Sequence, residues 1–399
     1  MSNNLKHNNC TMTVLGPVHI GSGEKYIRNE YVFNDQDNSI SVLDIGKAYQ
    51  WFIDEGKEAE FESYYAEFSP RSLSLGDWFK SRKITQSTYS QWIKYKMTAG
   101  DSVVIFKGRT PKYSDILSFV KDPYFLPYVP GSSIKGMLRT ALAMYEISKS
   151  ESSNELLDII CDELEKYDKI KSDREKAKFR KDNKRKFLQN EAKMIESKLF
   201  NTLNFDQKKE NAVNCNLSRL IIGDSKPLSY DDLTVCKKYD VRPDGTKNVL
   251  PIFKECLKPG TKIHFDLTID ESVNIQGKKI PYSLEDIKEA LRLMNSIVAK
   301  RFIRHFEPRY SFDPKETVGW IGSCGFASKN LIQSFYDDSE ESIALDLTDG
   351  IFDVTLDELY EKHRHGSDLE KYQVAPHMRK QTVTDGVRYD FGKVKIDFD

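Results

Sequence analysis

The chain has 399 residues, with 60 Lys and Arg against 61 Asp and Glu, a net charge of −1. This balance excludes a polybasic protein, so any nucleic-acid site must be a local patch. Apolar residues at 39% exclude wholesale disorder, and the length predicts two domains at about 100–200 residues each.

The first predicted strand is Thr11–Ile20, with Met12, Val14, Val18 and Ile20 on one face, running into a Gly21-Ser22-Gly23 turn. Short strands follow at Tyr31–Phe33 and Ile40–Leu43. Residues 44–97 read as mostly helical, with Trp78, Phe79, Trp92, Ile93 and Met97 in aromatic and apolar stripes that belong to a core. A strand is predicted at Val103–Phe106 and a helix over Ser133–Ser148. Residues 151–212 hold 15 basic and 14 acidic residues and read as a charge-dense helical insertion, a domain edge or a protruding arm. Strands return at Leu220–Ile222, Leu233–Val241, Asn248–Cys256 and Thr261–Ile269. A helix follows with Ser283 as N-cap and Leu284, Ile287, Leu291, Met294 and Val298 as its buried stripe. Val318–Phe326 is a Gly-rich strand and turn. The tail pairs Thr382–Thr384 with Val387–Ile396 around Asp385-Gly386.

The order strand, helix, strands occurs twice. It predicts an α+β chain of two units, each a small antiparallel sheet with helices on one face. The expected divisions are 1–150 with an insertion at 44–97, the charged insertion 151–212, and 213–399.

Six cysteines at 10, 161, 215, 236, 256 and 324 include no CxxC pair. Zinc-ribbon and thioredoxin readings therefore fail, and reduced thiols in a cytoplasmic protein are expected. The first residues are polar with no apolar core, and no run of about 18 apolar residues occurs, so neither a secretory signal nor a membrane-spanning helix is expected.

Three segments could carry chemistry. In the first, Pro127–Ala141, Pro130-Gly131 makes a turn and Ser132 or Ser133 can cap the following helix. Ile134, Met137, Leu138, Ala141 and Leu142 form the buried stripe, while Lys135 and Arg139 share the opposite face and Gly136 permits close approach. A helix N-terminus followed by two cations suits an anion, which for an RNA partner is phosphate. The alternative is an ordinary capped core helix. In the second, His19 with Gly21, Ser22 and Gly23 allows close backbone approach. His19 could act as a base, stack on a nucleobase, or simply pack. The third, Gly319–Phe326 followed by Ser328-Lys329, lacks the GK[ST] and GxGxxG patterns, so it is a bulged turn or a place where an extended chain approaches closely. His363 and His365 have no further ligands at zinc-like spacing, and no nucleophile-plus-base signature is present. Asp122 has no carboxylate partner in view, and the basic run Arg174–Lys186 reads as a solvated helix or a phosphate contact.

LGPVHIGSGEKY, PYVPGSSIKGMLRTAL, IIGDSKPLSYDDLTVCKKYDV, LKPGTKIHFDLTID, VGWIGSCGFASK and VAPHMRK occur in that order. Together they resemble the repeat-associated RAMP superfamily of CRISPR systems. More narrowly they resemble the Csm-series subunit at the crRNA 3′ end of type III-A effector complexes. The resemblance covers nearly the whole chain. PGSSIKGMLRTA is shared by several RAMP subunits, whereas LKPGTKIHFDLTID with VAPHMRK supports the narrower assignment. It implies tandem ferredoxin-like (RRM-like) folds with helical insertions that bind guide RNA by shape and backbone, without catalysis, metal or cofactor.

Carried over motif by motif, the implied RNA contacts are His19, Gly21, Ser22, Gly23, Ser132, Ser133, Lys135 and Arg139. Gly319, Gly322, Gly325 and Lys329 are further candidates, with His377 and Arg379 from the tail. The glycine loop departs from related loops at Ser323 and Cys324, and RRM-type aromatic motifs are not readable. The implied partners are crRNA, the other Csm subunits including the backbone RAMP subunit, and host 3′-trimming nucleases, with no membrane. Two competing readings remain: a metal-independent RAMP endoribonuclease with His19 as base, and a protein–protein adaptor docking through residues 44–97 and 151–212.

Overall fold

The structure, a computed structural model, describes the chain apart from residues 1–4, 70, 101–104, 108–109, 113, 150–151, 184–185, 204, 209–210, 272–281, 326–329, 336–340, 357–364 and 399. In chain order it runs β1 (Leu5–Val14), β2 (Gly21–Tyr26), β3 (Tyr31–Asn34), β4 (Ser39–Leu43), α1 (Ile45–Asp54), α2 (Glu58–Ala66), α3 (Leu75–Ser81), α4 (Gln86–Tyr89), β5 (Ile93–Ala99), β6 (Ile105–Lys107), β7 (Thr110–Lys112), β8 (Ile116–Phe119), α5 (Gly131–Ser148), α6 (Ser152–Asp168), α7 (Asp173–Asn183) and α8 (Gln189–Phe200). It continues with β9 (Leu220–Ile222), β10 (Leu233–Val241), β11 (Lys247–Leu257), β12 (Lys262–Asp270), α9 (Leu284–Val298), α10 (Arg304–Phe306), β13 (Val318–Trp320), α11 (Glu341–Leu356), α12 (His365–Tyr372), β14 (Arg379–Thr384), β15 (Val387–Asp390) and β16 (Lys393–Phe398).

The architecture is α+β, with two curled sheets that form ferredoxin-like (RRM-like) units carrying helical insertions. One sheet has the order β13-β16-β1-β12-β9 and is antiparallel throughout. Period-2 alternation turns Cys10, Met12 and Val14 of β1, and Ile263, Phe265, Leu267 and Ile269 of β12, inward. They meet α5 and α9, which pack on each other. α9 begins as predicted: Ser283 and Asp286 form a reciprocal capping box, and Ile287, Leu291, Met294 and Val298 are buried.

The second sheet has the order β2-β8-β11-β10-β5-β4-β3, with β14 and β15 attached through β10. Outside β4, helices α1 to α3 enclose an aromatic cluster in which Tyr64 stacks on Trp78 at 4.5 Å. The aromatic stripes of residues 44–97 are therefore core. Trp92, Ile93 and Met97, however, do not continue a helix. β5 starts at Ile93, and Tyr95, Met97 and Ala99 alternate inward.

The expected boundary at residue 150 does not separate the sheets. β1 pairs with β12 and β16, while β5 and β8 pair in parallel with β10 and β11. Nor is 151–212 a free arm: Leu156, Ile160, Ile195, Leu199 and Phe200 join the main core. The strand expected at 103–106 falls partly outside the described residues; β6 begins at Ile105. The first predicted strand also divides. β1 ends at Val14, Val18 forms an isolated bridge to Leu257, and the supposed glycine turn belongs to β2, with an irregularity in its pairing to β8 between Gly21 and Lys25. The tail likewise breaks at Phe391-Gly392, so β15 and β16 belong to different sheets.

Candidate nucleic-acid interface

Helix α5 starts at Gly131, two to three residues earlier than a serine cap requires. Neither Ser132 nor Ser133 caps it; Pro130 occupies the N-cap and makes no side-chain bond. The helix starts early because Gly131 lies against the β9 exit: a Cβ there would stand 2.3 Å from the Ile222 carbonyl oxygen. The Gly131 N–H donates to Asp224 Oδ1 at 2.8 Å, so a carboxylate of the protein already answers the first amide of the helix. Farther along, Ser132 is exposed, Lys135 is half-buried, and the space above Gly136 is open. Burial lowers the Lys135 pKa. Arg139 is exposed but paired with Glu196 of α8 at 2.5 Å. The two cations share one face, as their spacing requires, and only Lys135 lacks a carboxylate among the described residues.

His19 is not on the surface. It is 3% exposed, its Nδ1 bonds the Glu255 carbonyl at 2.7 Å, and its ring meets Phe119 edge-on. Burial, helped by the nearby charges of Lys254 and Lys121 and opposed by the bond to Glu255, lowers its pKa to about 4. Gly21 leaves room for the ring, since a Cβ there would lie 3.2 Å from His19 Nε2. Ser22 and Gly23 are exposed on β2, and Gly23 has φ +89°.

This burial predicts a pH effect. Above pH 6.5 the ring is neutral in both folded and unfolded chains. As pH falls from 6.5 toward 4, the unfolded chain takes a proton that the fold excludes, and about 3 kcal/mol is lost. Urea unfolding from pH 7 to 4 should show the wild type losing more stability than His19→Gln, which cannot titrate. Parallel curves would mean that His19 titrates normally in the fold.

Beneath His19 lies a polar network that sequence reasoning missed. Glu255 is fully buried and accepts bonds from Lys121 Nζ at 2.7 Å, Tyr95 Oη at 2.5 Å and the Phe119 N–H at 2.8 Å. Nothing in the local pattern marks it, because Lys254, Glu255 and Cys256 are consecutive residues of β11 that are all buried.

The Gly319–Gly325 loop folds back onto His19. Gly322 has φ +70°, and a Cβ there would sit 2.2 Å from the His19 carbonyl oxygen, to which the Ser323 N–H donates at 2.9 Å. Gly319 serves helix packing, since a Cβ would stand 2.6 Å from Met137 Sδ of α5. Gly325, at φ +93°, lies beside the Lys380 side chain. Lys329 lies outside the described residues, as does His363.

Two tail candidates are internal. Arg379 is 6% exposed and makes a forked ion pair with Asp390, both bonds at 2.6 Å, and a third contact with Glu307 at 2.9 Å. His377 is buried, with Nε2 3.2 Å from Asp368 and its ring on Tyr372. Each is committed to partners inside the fold, so neither side chain is displayed for a ligand. A second omission is the group Lys238, Lys254 and Lys380, gathered on β10, β11 and β14 beside Gly325. Its members are distant in sequence, and only the sheet order unites them.

Among the described residues no group of His, Cys, Asp and Glu is placed to hold a metal ion, and no helix is long and apolar enough to cross a membrane. The cysteines are free thiols. The family model for the RAMP superfamily matches residues 11–322. The chain belongs to the RAMP superfamily. Among individual relatives of this RAMP chain, a protein named CRISPR system Cms protein Csm5 from Mycobacterium tuberculosis is 24% identical, covering 99% of this chain and 98% of its own. A Streptococcus thermophilus protein of the same name is 24% identical over 67% of this chain and 65% of its own. The crystal structure of T. onnurineus Csm5 superposes with a TM-score of 0.60 at 18% identity, covering 96% of this chain and 99% of that one. A chain of a Csm–crRNA–target RNA ternary complex from a type III-A CRISPR-Cas system superposes at 0.59 with 19% identity, covering 98% and 100%.

Proposed function

We propose that this RAMP protein is the RNA-binding subunit at the crRNA 3′ end of a type III-A Csm complex. In this role it would support guide maturation and assembly in antiviral defence. The observation that carries this reading is the end-to-end correspondence with a Csm5 relative, 99% of one chain against 98% of the other. A chain of the same architecture in a complex holding crRNA and target RNA supports it. Its partners are then crRNA and the other Csm subunits, including the backbone RAMP subunit. Host nucleases would trim whatever RNA extends beyond it, and the setting is the cytoplasm.

The open face of α5, with Ser132, Ser133 and Lys135, is the RNA contact proposed from the sequence motif. Ser22 and Gly23 of β2 join it as exposed backbone. The chain is proposed to be non-catalytic. A general base must reach the 2′-OH it deprotonates, and His19 is 3% exposed with Nδ1 already bonded to the Glu255 carbonyl.

Crosslinking within the assembled complex tests the placement: crosslinks should cluster at the 3′ end of the guide. Crosslinks at the 5′ end, or none, would overturn it. Lys135→Ala with Arg139→Ala should weaken binding about equally for unrelated RNA sequences, because phosphate contacts carry no code. The single-strand salt slope should fall by about 0.7 for each phosphate that is no longer neutralised. Lys135 should carry more of the change, since Arg139 is already paired with Glu196. A sequence-selective loss, or an unchanged slope, would sink the phosphate-contact reading of α5.

A further inference from the structure

Three lysines converge on one side of the second sheet. Asp240 and Lys380 face each other across β10 and β14, and Lys380 Nζ lies 2.6 Å from Asp240 Oδ1. Lys238, next to the bulge in the β10–β11 pairing, reaches the same oxygen at 3.8 Å. Lys254 of β11 is 8% exposed, and its Nζ lies 5.7 Å from the centre of the Phe391 ring. No carboxylate among the described residues comes within ion-pair distance of it. Three positive charges are thus set against one negative charge. A buried ammonium without an anion is costly, and burial followed by repulsion from Lys238 and Lys380 lowers the Lys254 pKa.

The glycine loop and the Phe391 ring border the group. Gly325, at φ +93°, packs its backbone against the Lys380 stem, since a Cβ there would stand 2.9 Å from Lys380 Cγ. Gly325, Lys380 and Phe391 line one small cavity.

We propose that Lys238, Lys254 and Lys380 form a phosphate site that holds one backbone phosphate of the bound RNA beside the Gly322–Gly325 loop. The inference rests on the RNA-binding reading for the identity of the ligand, but not for the anion chemistry. Phosphate supplies the missing negative charge to Lys254 and takes charge-assisted bonds from more than one ammonium. The site reads no base, so it positions RNA without selecting sequence.

Lys254→Met in the full chain keeps the apolar stem and removes the charge. RNA affinity should fall about tenfold, the salt slope should drop by about 0.7, and the thermal midpoint without ligand should hold or rise. Lys254→Arg should restore most of the affinity. Inorganic phosphate, compared with chloride at equal ionic strength, should raise the midpoint of the wild type more than that of Lys254→Met. Equal phosphate increments together with an unchanged salt slope would overturn the site. If the phosphate increment depends on Lys254 but the wild type binds no RNA, the anion site stands and the RNA reading fails.

Discussion

Glu255→Ala should destabilise the protein by about 3–5 kcal/mol, the range for breaking a buried ion pair from one side. Glu255 is fully buried, and its removal leaves Lys121, the Tyr95 hydroxyl and the Phe119 N–H without their acceptor. Lys121→Met should cost less, because the carboxylate keeps the Tyr95 and Phe119 donors. The double variant should be less harmful than the sum of the two, since neither charge is then left alone. Urea unfolding of the four proteins measures this cycle. A loss below about 1 kcal/mol in Glu255→Ala would show that water replaces the carboxylate, and the network would not be a keystone of the sheet.

Gly322→Val should cost roughly 2–4 kcal/mol, combining a left-handed backbone forbidden to a β-branched residue with a collision. The Cβ would enter the His19 carbonyl at 2.2 Å, and the Ser323 bond to that oxygen would break. The yield of RNA-loaded complex should fall with it. Cys324→Ala only trims a buried side chain two residues away and should change both readouts little. The thermal midpoint of the free chain, measured beside complex yield, separates the two. If Gly322→Val melts normally but loads poorly, the glycine serves RNA approach and not the His19 contact.

Periodicity made the regular elements legible. β12 alternates cleanly, and the Ser283 cap with its apolar stripe marks α9. What periodicity could not show was which strands become neighbours. Trp92, Ile93 and Met97 fit a helical stripe when read within residues 44–97, but β5 is a strand because β4 and β10 flank it. The same limit applies to the site. Lys135 and Arg139 are four apart on a helix, so their shared face could be read directly. Lys238, Lys254 and Lys380 meet only through the pairing of three strands. His19 and Arg379 were visible as residue types suited to RNA, yet their burial depends on Glu255 and Asp390, far along the chain from His19 in one case and across a hairpin in the other.

The position of β1 has a consequence for synthesis. This strand is interior to its sheet, and its two neighbours are β12, at residues 262–270, and β16, at residues 393–398. A ribosome adding about 5–20 residues per second leaves β1 without either neighbour for tens of seconds. Throughout that interval Cys10, Met12 and Val14 offer an apolar edge with open amides, the kind of surface that pairs with other nascent chains. Closure of the sheet must await β16, so the slow step of folding waits for residues 393–398 to emerge. Expression in vivo should therefore respond to trigger-type holdases more strongly than the stability of the finished protein would suggest.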